Sequence, residues 1–337
     1  MEFAELAAMA GGHAEARAIQ IALKLGLFET LADGAREVAE VAARMRCDAR
    51  AVTILAHALA ALGILEKREH QFELSAVARD HLLQSSPQYF GDMILFDTAL
   101  WETWGKLEDS IRSGRPSRAA DMYQRRPEET LRFIRAMDSL VRARGDARWC
   151  ADHIDLASAR TIADVGGGPG TYLIEFLMRW PNLRGEIHDL PATLEVARGL
   201  LSARDPTLLP RIALREVNYL RDELPGPLDA IFMSNIIHGE NERTNLELMA
   251  KCFRTLADGG LLIIKDHIMN AAMTAPAAGA VFSLYLLLTT RGRDYSFDEV
   301  AGWLQKAGFI GIIQQTLPTP AFTSSLVMAR KPSGGTT

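Results

Sequence analysis

The sequence feature that most constrains the fold is a glycine-rich turn between a predicted strand and a predicted helix. The β-branched run Thr161–Val165 leads into the glycine-rich residues 166–170, and an apolar helical pattern follows over residues 172–180. A strand, a tight turn and a helix in this order are typical of a sheet whose parallel strands are connected by helices. The segment therefore predicts an α/β domain.

The same alternation continues toward the carboxyl terminus. Predicted strands and helices follow one another at 185–189 (strand), 192–202 (helix), 213–217 (strand), 228–235 (strand), 243–256 (helix) and 261–266 (strand). We expect the residues at 258–260, Asp-Gly-Gly, to stop the helix before them, and residues 324–330 to pair antiparallel at an edge. This order of elements predicts a doubly wound parallel sheet.

The turn itself indicates a ligand site. From Asp164 to Gly170 it reads D-x-G-x-G-x-G, whereas the dinucleotide fingerprint G-x-G-x-x-G fails because Thr171 stands where a third glycine is needed. Glycines let a backbone approach a ligand closely, and the helix that follows offers unpaired N–H groups. A turn without a ligand and a nucleotide cofactor of another kind remain alternatives.

Polar residues that follow the next two predicted strands are expected at the same edge of the sheet as the glycine-rich turn. Asp189 ends the second strand, where a carboxylate can accept both hydroxyls of a ribose. Asn218 and Tyr219 follow the third strand, and we expect their side chains to reach an adenine ring. A capping role for Asp189 and a loop role for the other two are the structural alternatives.

His238 is the predicted general base. It follows the fourth strand at the carboxyl edge of the sheet, where open α/β sheets bind ligands. Its imidazole can take a proton from an attacking hydroxyl, and Asp266 at the end of the fifth strand and Asp294 before a helix are predicted to orient it. A structural histidine with two capping aspartates is the alternative. No spacing comparable to H-E-x-x-H supports a metal site, and we expect none.

The first 85 residues predict short helices closed by a hairpin, the pattern of a winged helix. They contain nine Lys/Arg and twelve Asp/Glu, a net charge of −3, and a fold that neutralises phosphates needs the opposite sign. The helical residues 51–60 are almost wholly apolar, so we expect burial in the core or against a partner chain. A dimerisation role is therefore favoured over DNA binding.

Composition sets the remaining limits. A chain of 337 residues exceeds one ordinary domain, and its 48% hydrophobic and 23% charged residues are typical of a globular protein. Three scattered cysteines (Cys47, Cys150 and Cys252) and an acidic first segment favour a cytoplasmic protein without disulfides. Residues 268–290 lack charge, but their polar residues and Pro276 argue against a membrane span.

Several ordered motifs together resemble one known family. The segments are Asp164 to Gly170, His188-Asp189-Leu190-Pro191, Asn235-Ile236-Ile237-His238 and, more weakly, residues 257–260 and 307–309. The chain resembles the small-molecule S-adenosylmethionine-dependent O-methyltransferases of the plant caffeate, hydroxyindole and bacterial polyketide type. The resemblance implies a winged-helix dimerisation domain (residues 1–95), a helical connector that contributes to the acceptor pocket (96–150) and a Rossmann-like class I methyltransferase domain (151–337).

The resemblance also implies roles for single residues. The residues implied to hold S-adenosylmethionine are Asp164, Gly166, Gly168, Asp189, Leu190, Asn218, Tyr219 and Ser234. His238 is implied as the base, with Asp266 and Asp294 as its orienting carboxylates. Phe133, Met137 and Phe282 are implied to contact the acceptor, with Tyr285 in the apolar wall at residues 277–288. The family acts as a homodimer on hydroxyls of small aromatic acceptors, without nucleic acid or membrane.

Three departures from the family pattern bear on the chemistry. Gly239-Glu240 follows His238 where Asp-Trp is usual, Asn218 replaces an aspartate, and both orienting positions are Asp where many relatives have Glu. C- or N-methylation therefore stays an alternative to O-methylation. A ligand-binding winged-helix regulator and a nicotinamide oxidoreductase, which Thr171 disfavours, are the alternatives of another class.

Overall fold

The computed structural model describes residues 1–118, 123–318 and 324–334. The chain divides into a first unit, Met1–Trp101 with Arg135–Arg144, and a second unit, Glu102–Ile134 with Gly145–Thr337. The boundary runs inside one long helix, so residues 135–144 group with the amino-terminal part. The three domain ranges predicted from the sequence stay predictions.

One long helix, several short helices and a small antiparallel sheet form the first unit. Its elements are α1 (Phe3–Lys24), α2 (Leu27–Thr30), β1 (Arg36–Glu37), α3 (Val38–Met45), α4 (Ala49–Ala61), β2 (Leu65–Arg68), β3 (Gln71–Leu74), α5 (Ala76–Leu82) and α6 (Gly91–Ala99). The strands pair in the order β1-β3-β2. Asp48 caps α4, because its side chain accepts a hydrogen bond from the N–H of Ala51.

Helix α4 is less buried than its composition predicts. Val52, Ala56 and Leu59 lie in the core at helical spacing, whereas Ile54 on another face is 58% exposed. Apolar residues all around a helix exceed what one core stripe needs. The apolar character of α4 therefore leaves an uncovered face on the chain.

The second unit contains the predicted parallel sheet. Its elements are α7 (Trp101–Trp104), which crosses the boundary, α8 (Leu107–Ser113), α9 (Pro127–Arg144), which also crosses it, α10 (Asp146–His153), β4 (Thr161–Val165), α11 (Thr171–Arg179), β5 (Arg184–Asp189), α12 (Pro191–Arg204), β6 (Ile212–Glu216), β7 (Leu228–Ser234), α13 (Glu242–Thr255), β8 (Leu256–Met269), α14 (Ala277–Thr289), β9 (Tyr295–Ser296), α15 (Phe297–Ala307), β10 (Ile310–Thr316) and β11 (Ser324–Arg330). Two 3₁₀ turns, Pro206–Arg211 and Ile237–Gly239, complete it.

The main sheet has the strand order β10-β11-β8-β7-β4-β5-β6. Strands β4 to β8 are parallel, while β10 and β11 are antiparallel. The chain leaves β4 toward β5 and β6 and returns beside β4 as β7, so the strand order reverses there. Ligands of open α/β sheets bind at such a reversal, next to the carboxyl ends of the strands. The glycine-rich turn lies at this point, and the predicted fold class is confirmed.

Two details of the sheet differ from the prediction. Strand β11 is antiparallel as predicted, but it lies between β8 and β10 rather than at the edge, because β10 pairs along its free side. Helix α13 ends at Thr255, and residues 258–260 belong to β8. The pairing of β8 with β7 shifts its register here, and Gly259 has a φ of 79°. A bulge at the glycines therefore replaces the predicted turn.

No helix within the described ranges combines the length and the apolar character that crossing a membrane requires. The uncharged residues 268–290 instead form the end of β8, a connection and α14.

Candidate active site

The glycine-rich turn is shaped by close contacts with Asp164. The Asp164 side chain is 2% exposed at the end of β4, and a Cβ on Gly167 would lie 2.7 Å from its carboxyl carbon. Only glycine fits at this approach. Burial, and then the charge of Asp189, raise the pKa of Asp164 to about 8. Its Oδ2 atom has no hydrogen-bond partner among the described residues.

Asp189 is held at the end of β5 by backbone donors. Its Oδ2 accepts a hydrogen bond from the N–H of Gly168 at 2.9 Å, and its Oδ1 accepts one from Leu190 at 2.7 Å. Gly168 adopts a φ of 52°, which directs its N–H across the turn. The Thr193 side chain also hydrogen-bonds this carboxylate, and a carboxylate can accept further hydrogen bonds from a ligand hydroxyl.

Asn218 and Tyr219 are tied into their own surroundings. The Asn218 side-chain oxygen accepts a hydrogen bond from the N–H of Leu220, which is a loop-capping contact. The Tyr219 hydroxyl donates to Glu240 Oε1 at 3.0 Å. This bond connects the loop after β6 to the segment that follows His238, a link that the sequence patterns do not indicate.

The chain turns sharply after β7. Ser234 ends the strand with a buried hydroxyl that has no hydrogen-bond partner in the described part of the chain. Asn235 adopts a left-handed conformation with a φ of 58°, and asparagine tolerates this region better than most residues. The 3₁₀ turn Ile237–Gly239 follows and places His238 beside the neighbouring strand β8.

His238, Asp266 and Asp294 come together as predicted from their positions. His238 Nδ1 lies 2.6 Å from Asp266 Oδ1, and ligand atoms of all three residues lie within 4.8 Å of one another. Asp266 does not end its strand, since β8 continues to Met269, but the pairing of β8 with β7 stops at Lys265. Neither carboxylate oxygen of Asp294 has a hydrogen-bond partner among the described residues.

The electrostatics favour an ionised Asp266 and raise the pKa of His238. Burial raises the pKa of Asp266, but His238 more than offsets this, and the net pKa is lowered. Because an ionised carboxylate only accepts hydrogen bonds, Nδ1 of His238 donates and Nε2 carries the lone pair. Burial lowers the pKa of His238, yet the charges of Asp266 and Asp294 raise it overall. Burial raises the pKa of Asp294 to about 7, although His238 acts against this shift.

The segment before β9 packs directly on the turn that carries His238. A Cβ on Gly292 would lie 2.1 Å from the carbonyl oxygen of His238 and 2.7 Å from the backbone of Glu240. The Tyr295 hydroxyl donates to the Glu240 carbonyl at 2.6 Å, and the Asn245 side chain donates to the Ile237 carbonyl at 2.9 Å. These contacts fix the backbone of the turn that carries His238.

Aromatic side chains of α14 continue from His238. Phe282 lies 5.3 Å from the His238 ring and is stacked 4.9 Å from His267, measured between ring centroids. Tyr285 lies 5.4 Å from Phe282, and its hydroxyl is 2.8 Å from that of Tyr123. The uncharged helix that suggested a membrane span therefore supplies an aromatic wall beside the predicted base.

The two predicted acceptor contacts on α9 fall in different units. Phe133 belongs to the second unit and stacks on Tyr123 at 4.6 Å between centroids. Met137 belongs to residues 135–144, which group with the first unit, and its contact with the acceptor stays a prediction.

The residues at the glycine edge fit S-adenosylmethionine. Asp164 Oδ2 and Ser234 Oγ are buried polar atoms without hydrogen-bond partners among the described residues, so a ligand with ammonium and hydroxyl donors would satisfy them. Asp189 and the backbone of the turn would hold its ribose. The cluster of His238, Asp266 and Asp294 also has a spacing that suits a metal ion, but its closest pair already shares a hydrogen bond.

Two residues were missed by the sequence reasoning. His267 follows Asp266 directly, and only its position after a predicted site residue points to it. Gly292 precedes Asp294 by two residues, and no local pattern distinguishes it from a loop glycine. Both act through contacts with residues distant in sequence, which periodicity does not report.

Family models match both halves of the chain. An O-methyltransferase domain matches residues 104–310, and an O-methyltransferase dimerisation domain matches residues 7–84. These matches confirm the predicted family and the methyltransferase activity, and S-adenosylmethionine is the cofactor of this family.

Individual relatives agree with this assignment over most of their length. The chain is 32% identical to 3-hydroxy-5-methyl-1-naphthoate 3-O-methyltransferase of Streptomyces sahachiroi, over 89% of this chain and 87% of the relative. It is 26% identical to phenazine-1-carboxylate N-methyltransferase of Pseudomonas aeruginosa, over 95% of both. A solved structure of PigF with S-adenosylhomocysteine is similar, with a TM-score of 0.87 and 26% identity over 98% of this chain and all of that one. The chain belongs to the O-methyltransferase family.

Proposed function

We propose that this methyltransferase transfers a methyl group from S-adenosylmethionine to a hydroxyl of a small aromatic or polyketide-like acceptor. The observation that carries the proposal is the 2.6 Å hydrogen bond from His238 Nδ1 to Asp266, which leaves Nε2 as a proton acceptor beside an aromatic wall. The relative at 32% identity methylates a hydroxyl of a naphthoate.

Each residue of the site has a distinct task in this reaction. The cofactor supplies an electrophilic methyl group. His238 Nε2 accepts the proton of the acceptor hydroxyl as the new carbon–oxygen bond forms, and the methyl ether and S-adenosylhomocysteine are the products. Asp266 keeps the imidazole in the required tautomer, and the charge of Asp294 stabilises the imidazolium. Phe282 and Tyr285 orient the acceptor ring and exclude water.

Substitution of the base separates catalysis from cofactor binding. We expect His238→Gln to lower kcat by about 10²-fold or more, because no side chain then removes the proton. Calorimetric affinity for S-adenosylmethionine is expected to change by less than about threefold. His70→Gln, on an exposed turn of the first unit, is the matched control. A comparable loss of turnover and of cofactor affinity in His238→Gln would contradict the role of base.

The position of the transferred methyl group tests the reaction type. A phenazine-1-carboxylate N-methyltransferase aligns with 95% of this chain, and Gly239-Glu240 departs from the pattern usual after the predicted base. Mass spectrometry and NMR of the product formed from a hydroxyarene distinguish a methyl ether from a C- or N-methylated product. A methyl group on carbon or nitrogen would refute O-methylation while leaving the family intact.

We further propose that the first unit is a winged-helix module that forms the homodimer and binds no nucleic acid. Phe3, Leu6 and Met9 follow one another at helical spacing on α1, and each is more than half exposed. Such an apolar stripe fits a second copy of the chain better than a phosphate backbone. We expect light scattering to give twice the chain mass of 37.1 kDa, and Leu6→Glu to shift it toward the monomer. A monomeric wild-type protein would refute the dimer.

A further inference from the structure

The side chain of Glu240 joins the two loops beside the proposed cofactor site. Its Oε1 accepts a hydrogen bond at 3.0 Å from the hydroxyl of Tyr219, which lies in the loop after β6. That loop begins next to the ribose edge, since the N–H of Val217 donates to the Asp189 carbonyl at 3.1 Å. Burial, and then the charges of Glu240 and Asp189, raise the pKa of Tyr219. Both carboxylates therefore lie near one tyrosine.

The backbone on both sides of this hydrogen bond is held by other side chains. The Tyr295 hydroxyl donates to the Glu240 carbonyl at 2.6 Å, and the Asn245 side chain donates to the same carbonyl at 3.3 Å. On the opposite loop, Lys251 Nζ donates to the Tyr219 carbonyl at 2.8 Å. An acceptor group that is already held in place loses little freedom when a ligand binds. Glu240 is therefore preorganised for a ligand donor.

The carboxylate of Glu240 can accept more than the one bond from Tyr219. Burial raises its pKa, while the hydrogen bond from Tyr219 and the charge of Arg291 lower it. An ionised carboxylate has about four lone-pair sites on two oxygens, and the Tyr219 hydroxyl occupies one of them. Tryptophan, which the family pattern has at this position, is a donor only and could not act in this way.

The position of the carboxylate suits the base of a nucleoside. A nucleoside whose ribose hydroxyls bind Asp189 extends its base beyond the ribose, toward the loop that carries Tyr219. Adenine carries one amino group, at its 6-position, and that group donates hydrogen bonds. Asn218 also lies in this loop, but its side-chain oxygen already accepts the N–H of Leu220 at 3.0 Å. Glu240 supplies a charged acceptor at this end of the site.

We infer that Glu240 recognises the adenine of S-adenosylmethionine by accepting a hydrogen bond from its 6-amino group, while Tyr219 holds the carboxylate in place. Glu240 is thus a specificity residue for the cofactor. The inference goes beyond the proposed function, because it holds whether the methyl group is transferred to oxygen, carbon or nitrogen.

Calorimetry without an acceptor tests this inference, since it measures binding and not turnover. The two ligands are S-adenosylhomocysteine and its analogue in which unsubstituted purine replaces adenine, so that only the amino group is lost. We expect the wild type to bind S-adenosylhomocysteine at least about tenfold more tightly than the analogue. Glu240→Met keeps the length of the side chain without an oxygen acceptor. We expect it to reduce this preference to less than about twofold, with little change in the affinity for the analogue.

Three further variants separate recognition from packing. Tyr219→Phe keeps the ring and the carboxylate, and Asn218→Ala removes the neighbouring amide, so both are expected to retain most of the preference. Glu240→Gln keeps the bond from Tyr219 but loses the charge, and we expect it to lower the preference about threefold even if Glu240→Met does not fold.

Several results would overturn the assignment of Glu240. They are equal affinities of the wild type for both ligands, a preference that persists unchanged in both Glu240 variants, and a preference that only Asn218→Ala abolishes. Equal weakening of both ligands in Glu240→Met would likewise reduce Glu240 to a structural role. A wild type that shows the preference but methylates carbon or nitrogen would overturn the proposed O-methylation alone.

Discussion

Two aspartates at opposite sides of the strand-order reversal show how the same side chain is used in two ways. Asp189 at the glycine edge receives a backbone N–H on each carboxylate oxygen, from Gly168 and from Leu190. Asp294 beside His238 receives no backbone hydrogen bond on either oxygen from the described residues, and burial raises its pKa to about 7. Fixed backbone donors suit a residue that binds a ligand, whereas a carboxylate without backbone donors is more sensitive to the charge of its neighbours.

Replacing single carboxylates with amides tests most directly whether the glycine-rich turn and the turn that carries His238 have separate functions. We expect Asp266→Asn to lower kcat by about 10³-fold, because an amide can stabilise the wrong tautomer of His238. Asp189→Asn is expected instead to weaken S-adenosylmethionine binding about tenfold, with a smaller change in kcat. Calorimetry and turnover at saturating cofactor measure the two quantities. If both variants lose mainly cofactor affinity, or both lose mainly turnover, the two aspartates do not have separate functions.

The packing of Gly292 gives the next largest effect. A methyl group at this position must displace the backbone of His238 or Glu240, and small displacements of a catalytic group cost activity steeply. We expect Gly292→Ala to lower kcat about tenfold to a hundredfold while cofactor affinity is retained. Gly199→Ala, on α12 with no atom near its added Cβ, is the matched control. Full activity of Gly292→Ala would show that the turn adjusts without moving the base.

The charge of Asp294 is expected to act on the pH profile. The base must be unprotonated, so kcat/KM rises with pH through the pKa of His238. Ionised Asp294 raises that pKa, and a neutral amide removes this contribution. The acid limb of Asp294→Asn is therefore expected to move to lower pH, by up to about one unit. A limb that stays in place or moves upward would contradict the charge interaction.

Metal removal is expected to have the smallest effect. His238 Nδ1 is already bound to Asp266, and Nε2 is assigned to the acceptor proton, so a metal ion is not needed to complete the site. We expect turnover to be unchanged after dialysis against EDTA. Loss of activity that Mg²⁺ or Zn²⁺ restores would show that His238, Asp266 and Asp294 bind a metal instead.

The sequence predicts the glycine-rich turn more completely than it predicts the surroundings of His238. The glycine turn and Asp189 follow from local patterns, and His238 and Asp266 meet because they follow neighbouring parallel strands. The burial of Asp294 and the contact of Gly292 depend on a segment that returns more than fifty residues after His238. The link from Tyr219 to Glu240 likewise joins two loops whose residues carry no shared period. Local patterns report secondary structure, whereas such contacts depend on how distant loops pack.

The extra length of β8 separates two properties of the enzyme. Beyond Lys265 the strand overhangs β7 and is held by β11 and β9, through pairs such as Asp266 with Ser325 and Ile268 with Tyr295. Asp266 and His267 stand on this overhang, while the residues assigned to the methyl donor stand on other strands. A change in the length or twist of the overhang would therefore reorient the carboxylate beside His238, while the strands proposed to hold the methyl donor keep their arrangement.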